Sequence, residues 1–374
     1  MPQLQQTDVA AYIWPSYTGD EPRSRPFWPE GIGEWQTVRA ARPRFPGHQW
    51  PRKPLWGYCN EADPYVMSMQ IDAAADHGVN VFLYDWYWFD RRPFLEQCLN
   101  NGFLKAHNNS RMRFYLMWAN HDATVCWDRR LAHQSGEVVW LGAVDRAEFE
   151  RIAHRLIDRY FTHPLYYKLD GKPVFMIYDI GNLIRGLGGI DAVRSAFNWF
   201  RKEAVRAGLP GLHLQLTYWS EWALKQPAAD GEKTLTGPEV VNGCGFDSMS
   251  HYQFVHATDV NRDYLEILAD MEKEWERLHD SYAPTYFPHV SVGWDATPRY
   301  KRMEKPAIVK SNTPENVRKA FEAAKAYLDR HPEVPRLVTV NAWNEWTETS
   351  YLEPDDLNGY GYLEAIRSVF GTPT

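Results

Sequence analysis

Two spacings of apolar and polar positions divide this chain. Eight segments rich in β-branched and aromatic residues, most of them bounded by Gly, Pro or Asp, predict strands. They are Val9–Tyr17, Val79–Trp88, Arg113–Asn120, Pro173–Asp179, Leu212–Trp219, Phe246–Phe254, Tyr286–Asp295 and Leu337–Glu345. Between them apolar residues recur every three or four positions, which predicts helices with one buried face. These cover Asp63–His77, Arg92–His107, Arg146–Phe161, Asp191–Ala207, Arg262–Tyr282 and Pro314–Arg330. The last opens with SNTPENV, so Thr313 is the expected N-cap and Pro314 the first helical residue. The connection Glu221–Gly245 is polar and irregular, with room for one short helix, and Tyr362–Phe370 closes the series as a helix.

Eight strands alternating with helices predict an α/β protein, a (β/α)8 (TIM) barrel forming a single domain over residues 1–374 with long βα loops. An open doubly wound sheet is the alternative. It normally places a Gly-rich phosphate loop after its first strand, where this chain has the long Trp- and Pro-rich segment Thr18–Asn60.

Composition sharpens this outline. Of 374 residues, 44% are hydrophobic, enough for a large core, and 15% are aromatic, with 17 Trp and 21 Tyr. Trp and Tyr join a flat apolar face to a polar edge, which suits both core packing and stacking on sugars or bases. The net charge of −7, with basic residues spread along the chain, argues against nucleic acid or an anionic membrane as partner. No apolar run is long enough to span a bilayer. The start MPQLQQTDVAAYIWPSY lacks a basic segment followed by an apolar one, so the expected compartment is the cytoplasm. Cys59, Cys98, Cys126 and Cys244 are dispersed, suggesting neither a zinc site nor a disulfide framework.

In such a barrel, function sits where strands end and βα loops begin. The predicted ends read WPSY, YDWYWF, WANHD, YDIG, TYWSEW, SHYQF, GWD and NAWNEW. Core packing explains isolated aromatics there. It does not explain Asp85, Asn120, His121, Asp122, Asp179, His251, Asp295 and Glu345 at corresponding positions. The eighth end continues as NAWNEWTETSYLEP, setting Glu345 and Glu348 beside Trp343 and Trp346. Glycosidic cleavage needs a carboxylic acid for the leaving oxygen and a second carboxylate as nucleophile or base. The plain alternative is a solvated loop with one glutamate capping the next helix. Trp86, Trp294 and Trp343 are candidate stacking platforms, and Asp85, Asn120, His121 and Tyr178 candidate ligand contacts. His48, in the first loop, is expected to serve packing.

At N-E-W-x-E followed by LEP the chain resembles glycoside hydrolase family 99, the retaining endo-α-mannosidases. It resembles still more closely their bacterial WbsX-like relatives. Further shared landmarks are GIGEW at Gly31–Trp35, FPGHQWP at Phe45–Pro51, WAN at Trp118–Asn120, DGKPVFMIYD at Asp170–Asp179, GFD at Gly245–Asp247 and SVGWD at Ser291–Asp295. The resemblance implies a barrel hydrolase acting on an oligosaccharide or polysaccharide. Glu345 would deprotonate the substrate 2-hydroxyl, which then attacks the anomeric carbon. Glu348 would protonate the leaving oxygen and then deprotonate water. Asn344 would bond the sugar beside Glu345, and Glu34, Tyr252 and Asp295 would be further contacts. Glu353 also matches, and a structural salt bridge is expected of it. Two departures bear on mannose specificity: Thr347 where relatives carry His, and His121-Asp122 where they commonly carry Glu-Asn. No metal spacing is present and no cofactor is called for. Rival functions are a glycosyltransferase, which would usually need a diphosphate site that the sequence does not display, and a non-catalytic sugar-binding barrel.

Overall fold

The computed structural model describes residues 6–132, 136–227, 234–301 and 305–371. The barrel strands are Asp8–Ile13, Val81–Phe89, Arg113–Trp118, Lys172–Ile177, His213–Tyr218, Ser248–His251, a seventh in two pieces, and Leu337–Asn341. They pair in parallel in sequence order, and the eighth returns to the first with Asp8 opposite Leu337 and Ala10 opposite Thr339. The expected continuous seventh strand is broken at Phe287–Pro288. Thr285–Tyr286 pairs with the sixth strand and His289–Ser291 with the eighth, so the two fragments together complete the ring. Proline lacks the N–H a ladder needs, which accounts for the break. The fold is a (β/α)8 barrel.

Its interior is filled by hydrogen-bonded side chains as well as aliphatic ones. The Tyr12 hydroxyl donates to the His251 carbonyl at 3.0 Å, and that of Tyr115 to Gln215 Oε1 at 3.2 Å. Ser250 and His289 meet the Thr339 hydroxyl at 2.6 and 2.8 Å. Most of these buried polar groups are satisfied by one another, the condition under which such burial is tolerated, though Gln215 Nε2 has no partner among the described residues.

Outside the ring lie Pro64–Asp76, Arg146–Leu156 running on as wider turns to Phe161, Ile190–Arg206, Tyr264–Ser281, Pro314–Arg330 and Gly361–Phe370. Thr313 caps the Pro314 helix, its hydroxyl accepting the Asn316 N–H at 3.3 Å. The polar fifth connection contributes the short helix Gly237–Cys244; residues 228–233 of it lie outside the described residues. One expected helix, Arg92–His107, is largely replaced. Asp90 and Arg91 both take left-handed backbone (φ 53° and 60°), the turn that reverses a two-residue hairpin, and Arg92–Phe94 folds back on the second strand. Only the short turns Cys98–Gly102 and Phe103–Lys105 follow.

Candidate active site

The eighth strand leaves the ring at Asn341, and the chain then makes a tight hairpin in which Asn344–Glu345 pairs with Ser350–Tyr351. Trp346–Glu348 forms its tip, and Thr349, at φ 57°, turns the chain back. That left-handed Thr349 is held from both sides: its hydroxyl donates to the Asp295 carbonyl at 2.8 Å and accepts the Trp50 indole N–H at 3.0 Å. Glu345 and Glu348 thus project from a braced turn.

Between them sits Arg299, from the loop after the seventh strand. It donates to Glu348 Oε1 at 2.8 Å, Glu345 Oε1 at 3.2 Å and the Thr347 hydroxyl at 2.8 Å, and its Nε lies 3.8 Å from Glu34 Oε1. Glu34 is fully buried and also accepts from the Trp14 indole and the Ser16 hydroxyl. It reaches this depth because Gly33, at φ +59°, lies against the Ser16 carbonyl, where an added Cβ would collide. Three carboxylates therefore share one guanidinium. Burial raises the pKa of each; for Glu345 the charge of Glu348 adds to the rise, leaving it well above the carboxylate range, while Arg299 opposes it. Burial works against the charge of Arg299, but Glu348, Glu34 and Glu345 outweigh it and raise its pKa. Glu348 Oε2 is buried and without a hydrogen-bond partner.

Arg299, Glu345 and Glu348 line a cavity of about 290 Å³. Its walls are Trp14, Tyr87, Trp127, Tyr178, Trp219 and Tyr252, with His121, His256, Cys126, Arg299, Glu345 and Glu348 completing the lining. Tyr178 and Tyr252 meet edge-to-face at 5.1 Å, and Trp219 lies parallel to His256 at 4.2 Å. Burial lowers the pKa of His121, and that of His256 falls to about 4, so both are neutral near pH 7. Asp85 stands behind the wall, accepting the Tyr252 hydroxyl at 3.2 Å; burial raises its pKa well above the usual value.

Of the sequence-predicted residues, the structure brings together Glu345, Glu348, His121, Tyr178 and Tyr252, with Asp85 and Glu34 adjoining. Others are placed differently. Side chains alternate along a strand, so Asp85 and Tyr87 share one face and Trp86 takes the other, where its indole donates to Glu96 at 2.9 Å. Trp343 is fully buried against Phe82 and donates to Gln70. Neither tryptophan is a platform in this cavity. Trp294 and Asp295 line a separate cavity of about 460 Å³ that holds neither glutamate. There Asp295 pairs with His48 at 2.7 Å, and His48 stacks on Phe45.

Asn344 and Asn120 are spent on the backbone. The Asn344 amide spans the Trp14 N–H and C=O at 2.8 and 3.0 Å and also donates to Glu61 at 2.8 Å. Asn120 makes a reciprocal pair with the Asp179 backbone, both bonds at 2.7 Å. Among the described residues Glu353 has no salt-bridge partner. It accepts the Trp346 indole at 2.6 Å and the Gln70 amide at 2.7 Å, in a buried pair with Glu61. Sequence reasoning missed Arg299, Tyr87, Trp127, Trp219 and His256. Tyr87 was recoverable from the strand alternation beside Asp85, whereas Arg299, in a loop, had no periodic signal.

A family profile described as "Glycosyltransferase WbsX" matches residues 9–366. The chain belongs to this WbsX family. Among curated relatives it is 28% identical, over 375 residues, to the protein described as "Uncharacterized protein WxcX" from Xanthomonas campestris pv. campestris (strain ATCC 33913). That match covers 98% of this chain and 50% of the relative, so the chain spans about half the length of the curated relatives it matches. Among solved structures, one described as "Glycoside hydrolase-like protein" superposes with a TM-score of 0.63 at 16% identity, covering 98% of this chain and 95% of the other. The GH99 endo-alpha-mannosidase from Bacteroides thetaiotaomicron gives 0.59 at 14%, covering 97% and 96%. A beta-glucosidase from Thermotoga maritima gives 0.51 at 9%, covering 99% of each chain. At these identities the likeness is one of fold: this WbsX-family chain has a glycoside hydrolase-like barrel. Among its described residues no helix is long and apolar enough to cross a membrane.

Proposed function

We propose that the protein is a glycoside hydrolase that cleaves an α-linked neutral glycan, a mannoside or related sugar, with Glu345 and Glu348 as its acid/base pair. The observation carrying this reading is the pair itself: two buried carboxyls on one guanidinium, lining an aromatic-walled cavity above the barrel strands. Aromatic rings accept the apolar faces of pyranoses and keep water out. Among the described lining residues Arg299 is the one guanidinium, and its engagement by carboxylates counts against the transferase reading.

The chemistry follows in two steps. Glu345 takes the proton of the 2-hydroxyl as its oxygen attacks C1; the bond from C1 to the leaving oxygen breaks, and Glu348 protonates that oxygen. Water, deprotonated by Glu348, then opens the three-membered ring at C1, and Glu345 returns its proton to O2. At rest the closer contact to Arg299 favours the ionised form of Glu348, and the proton favours Glu345. These roles therefore require the proton to pass to Glu348 when the sugar binds, as the 2-hydroxyl comes within hydrogen-bond reach of Glu345.

Leaving-group dependence tests the division. Glu348→Gln is expected to abolish cleavage of natural glycosides while sparing glycosyl fluorides, whose departure needs little acid assistance. Glu345→Gln is expected to impair both, and a 2-deoxy substrate to resist turnover. Normal turnover of the 2-deoxy substrate rejects hydroxyl participation. Product formation only when a nucleotide sugar is supplied rejects hydrolysis in favour of transfer.

A further inference from the structure

The helices that deliver the seventh and eighth strands end side by side, on the barrel face opposite the carboxylate cavity. His279 lies in the last turn of Tyr264–Ser281. His331 caps the C-terminus of Pro314–Arg330, and Glu333 follows in the short link to the eighth strand. The distance between them in sequence hides any ligand spacing, yet the two imidazoles lie 4.0 Å apart, centroid to centroid. We propose that His279, His331 and Glu333 bind a zinc-class divalent cation.

Two of the three ligand–ligand edges have the length of a coordination shell's. His279 Nε2 and His331 Nδ1 each stand 3.4 Å from the same oxygen, Glu333 Oε1. Tetrahedral zinc with bonds of about 2.0–2.1 Å has ligand–ligand edges of about 3.3–3.4 Å. One such group is present among the described residues, its three ligand atoms all within 4.8 Å of one another.

The outer partners are also in place. His331 Nε2 lies 2.8 Å from Glu276 Oε2, and Glu276 is itself held by Arg330 at 2.7 Å. His279 Nδ1 lies 3.4 Å from the Tyr327 hydroxyl. A metal-binding histidine characteristically engages a carboxylate or another polar group through its second ring nitrogen, which fixes the tautomer.

His331 stands between two carboxylates, Glu276 and Glu333. Two imidazole nitrogens and one carboxylate suit zinc or its borderline neighbours better than magnesium or calcium, and leave a fourth position for water. The histidines are partly buried, and Glu333 is exposed to admit the ion. Bound there, the cation fastens together the ends of two adjacent helices.

The test uses the full chain, freed of any affinity tag and treated with chelator, titrated calorimetrically with zinc chloride, with magnesium chloride as control. Stoichiometric zinc binding is expected, with a rise in Tm, and cobalt(II) should give the visible absorption of a four-coordinate site. Glu276→Gln should weaken binding by about 10–100-fold, and His331→Ala and Glu333→Ala by at least as much. Wild-type protein that binds no stoichiometric zinc overturns the proposal. So does binding of undiminished affinity in Glu333→Ala, a substitution on an exposed link that leaves the helices intact even if the histidine variant does not fold.

Discussion

Replacing Arg299 with methionine keeps the bulk of the side chain and removes the one charge that three buried carboxyls share. At contacts of about 3–4 Å, and an effective dielectric of about 20, each such pair is worth roughly 4–5 kcal/mol. Losing it raises the carboxyl pKa further, because Arg299 is the charge that opposes the effect of burial. Because the guanidinium touches Glu345 and Glu348 together, the loss falls on both. Arg299→Met should therefore hold a proton on each near neutral pH, leaving no carboxylate for the 2-hydroxyl. The expected kcat/KM at pH 7 falls by at least about 100-fold, the usual contribution of a positioned base. It should partly recover with alkali, because the acid limb of the pH profile moves upward, with Arg299→Lys in between. The assay is kcat/KM against pH with an activated glycoside, on protein shown to be folded by near-UV circular dichroism. A folded Arg299→Met enzyme whose acid limb stays at the wild-type pH refutes the electrostatic role given to Arg299.

Two further substitutions address the frame behind the site. Asn344→Ala leaves the buried Trp14 N–H and C=O and one Glu61 oxygen without their partner, so denaturant unfolding should show a loss of about 2–5 kcal/mol. Burial raises the pKa of Glu61 to about 7, well above its unfolded value, so the folded state holds the extra proton. Its contribution to stability is then present at pH 4 and lost as pH climbs toward 7, on the order of 3 kcal/mol in all. Glu61→Gln should flatten that stretch of the stability–pH curve, and an unchanged slope would show that the burden lies elsewhere.

How much could be read from sequence depended on what fixes each feature. Strands and most helices follow local periodicity, so Pro314–Arg330 lies where the pattern put it, while the expected strand Leu337–Glu345 starts in place but leaves the ring at Asn341. Arg92–His107 has helical spacing, but the hairpin turn at Asp90–Arg91 and pairing with the second strand prevail. Strand ends indicated which residues gather at one face, not which way each side chain points. Trp86 and Asp85 are neighbours in sequence and occupy opposite faces of the sheet. Trp294 and Asp295 reach the right end of the barrel but belong to another cavity, because Thr349 and Trp50 stand behind the glutamate turn. Arg299 and the paired Glu61 and Glu353 depend on tertiary contacts that no short window displays.

The Asn344 clamp joins residues separated by 330 positions, just beyond the ends of the two strands that meet where the ring closes. On a ribosome adding about 5–20 residues per second, roughly 15–65 s pass between the emergence of its two halves. Through that interval the first strand has no eighth neighbour, and Glu34 waits for the guanidinium it will share. The carboxylate cavity thus cannot take shape before the eighth strand and its hairpin have emerged, and a nascent chain interrupted ahead of them lacks both Glu345 and Glu348.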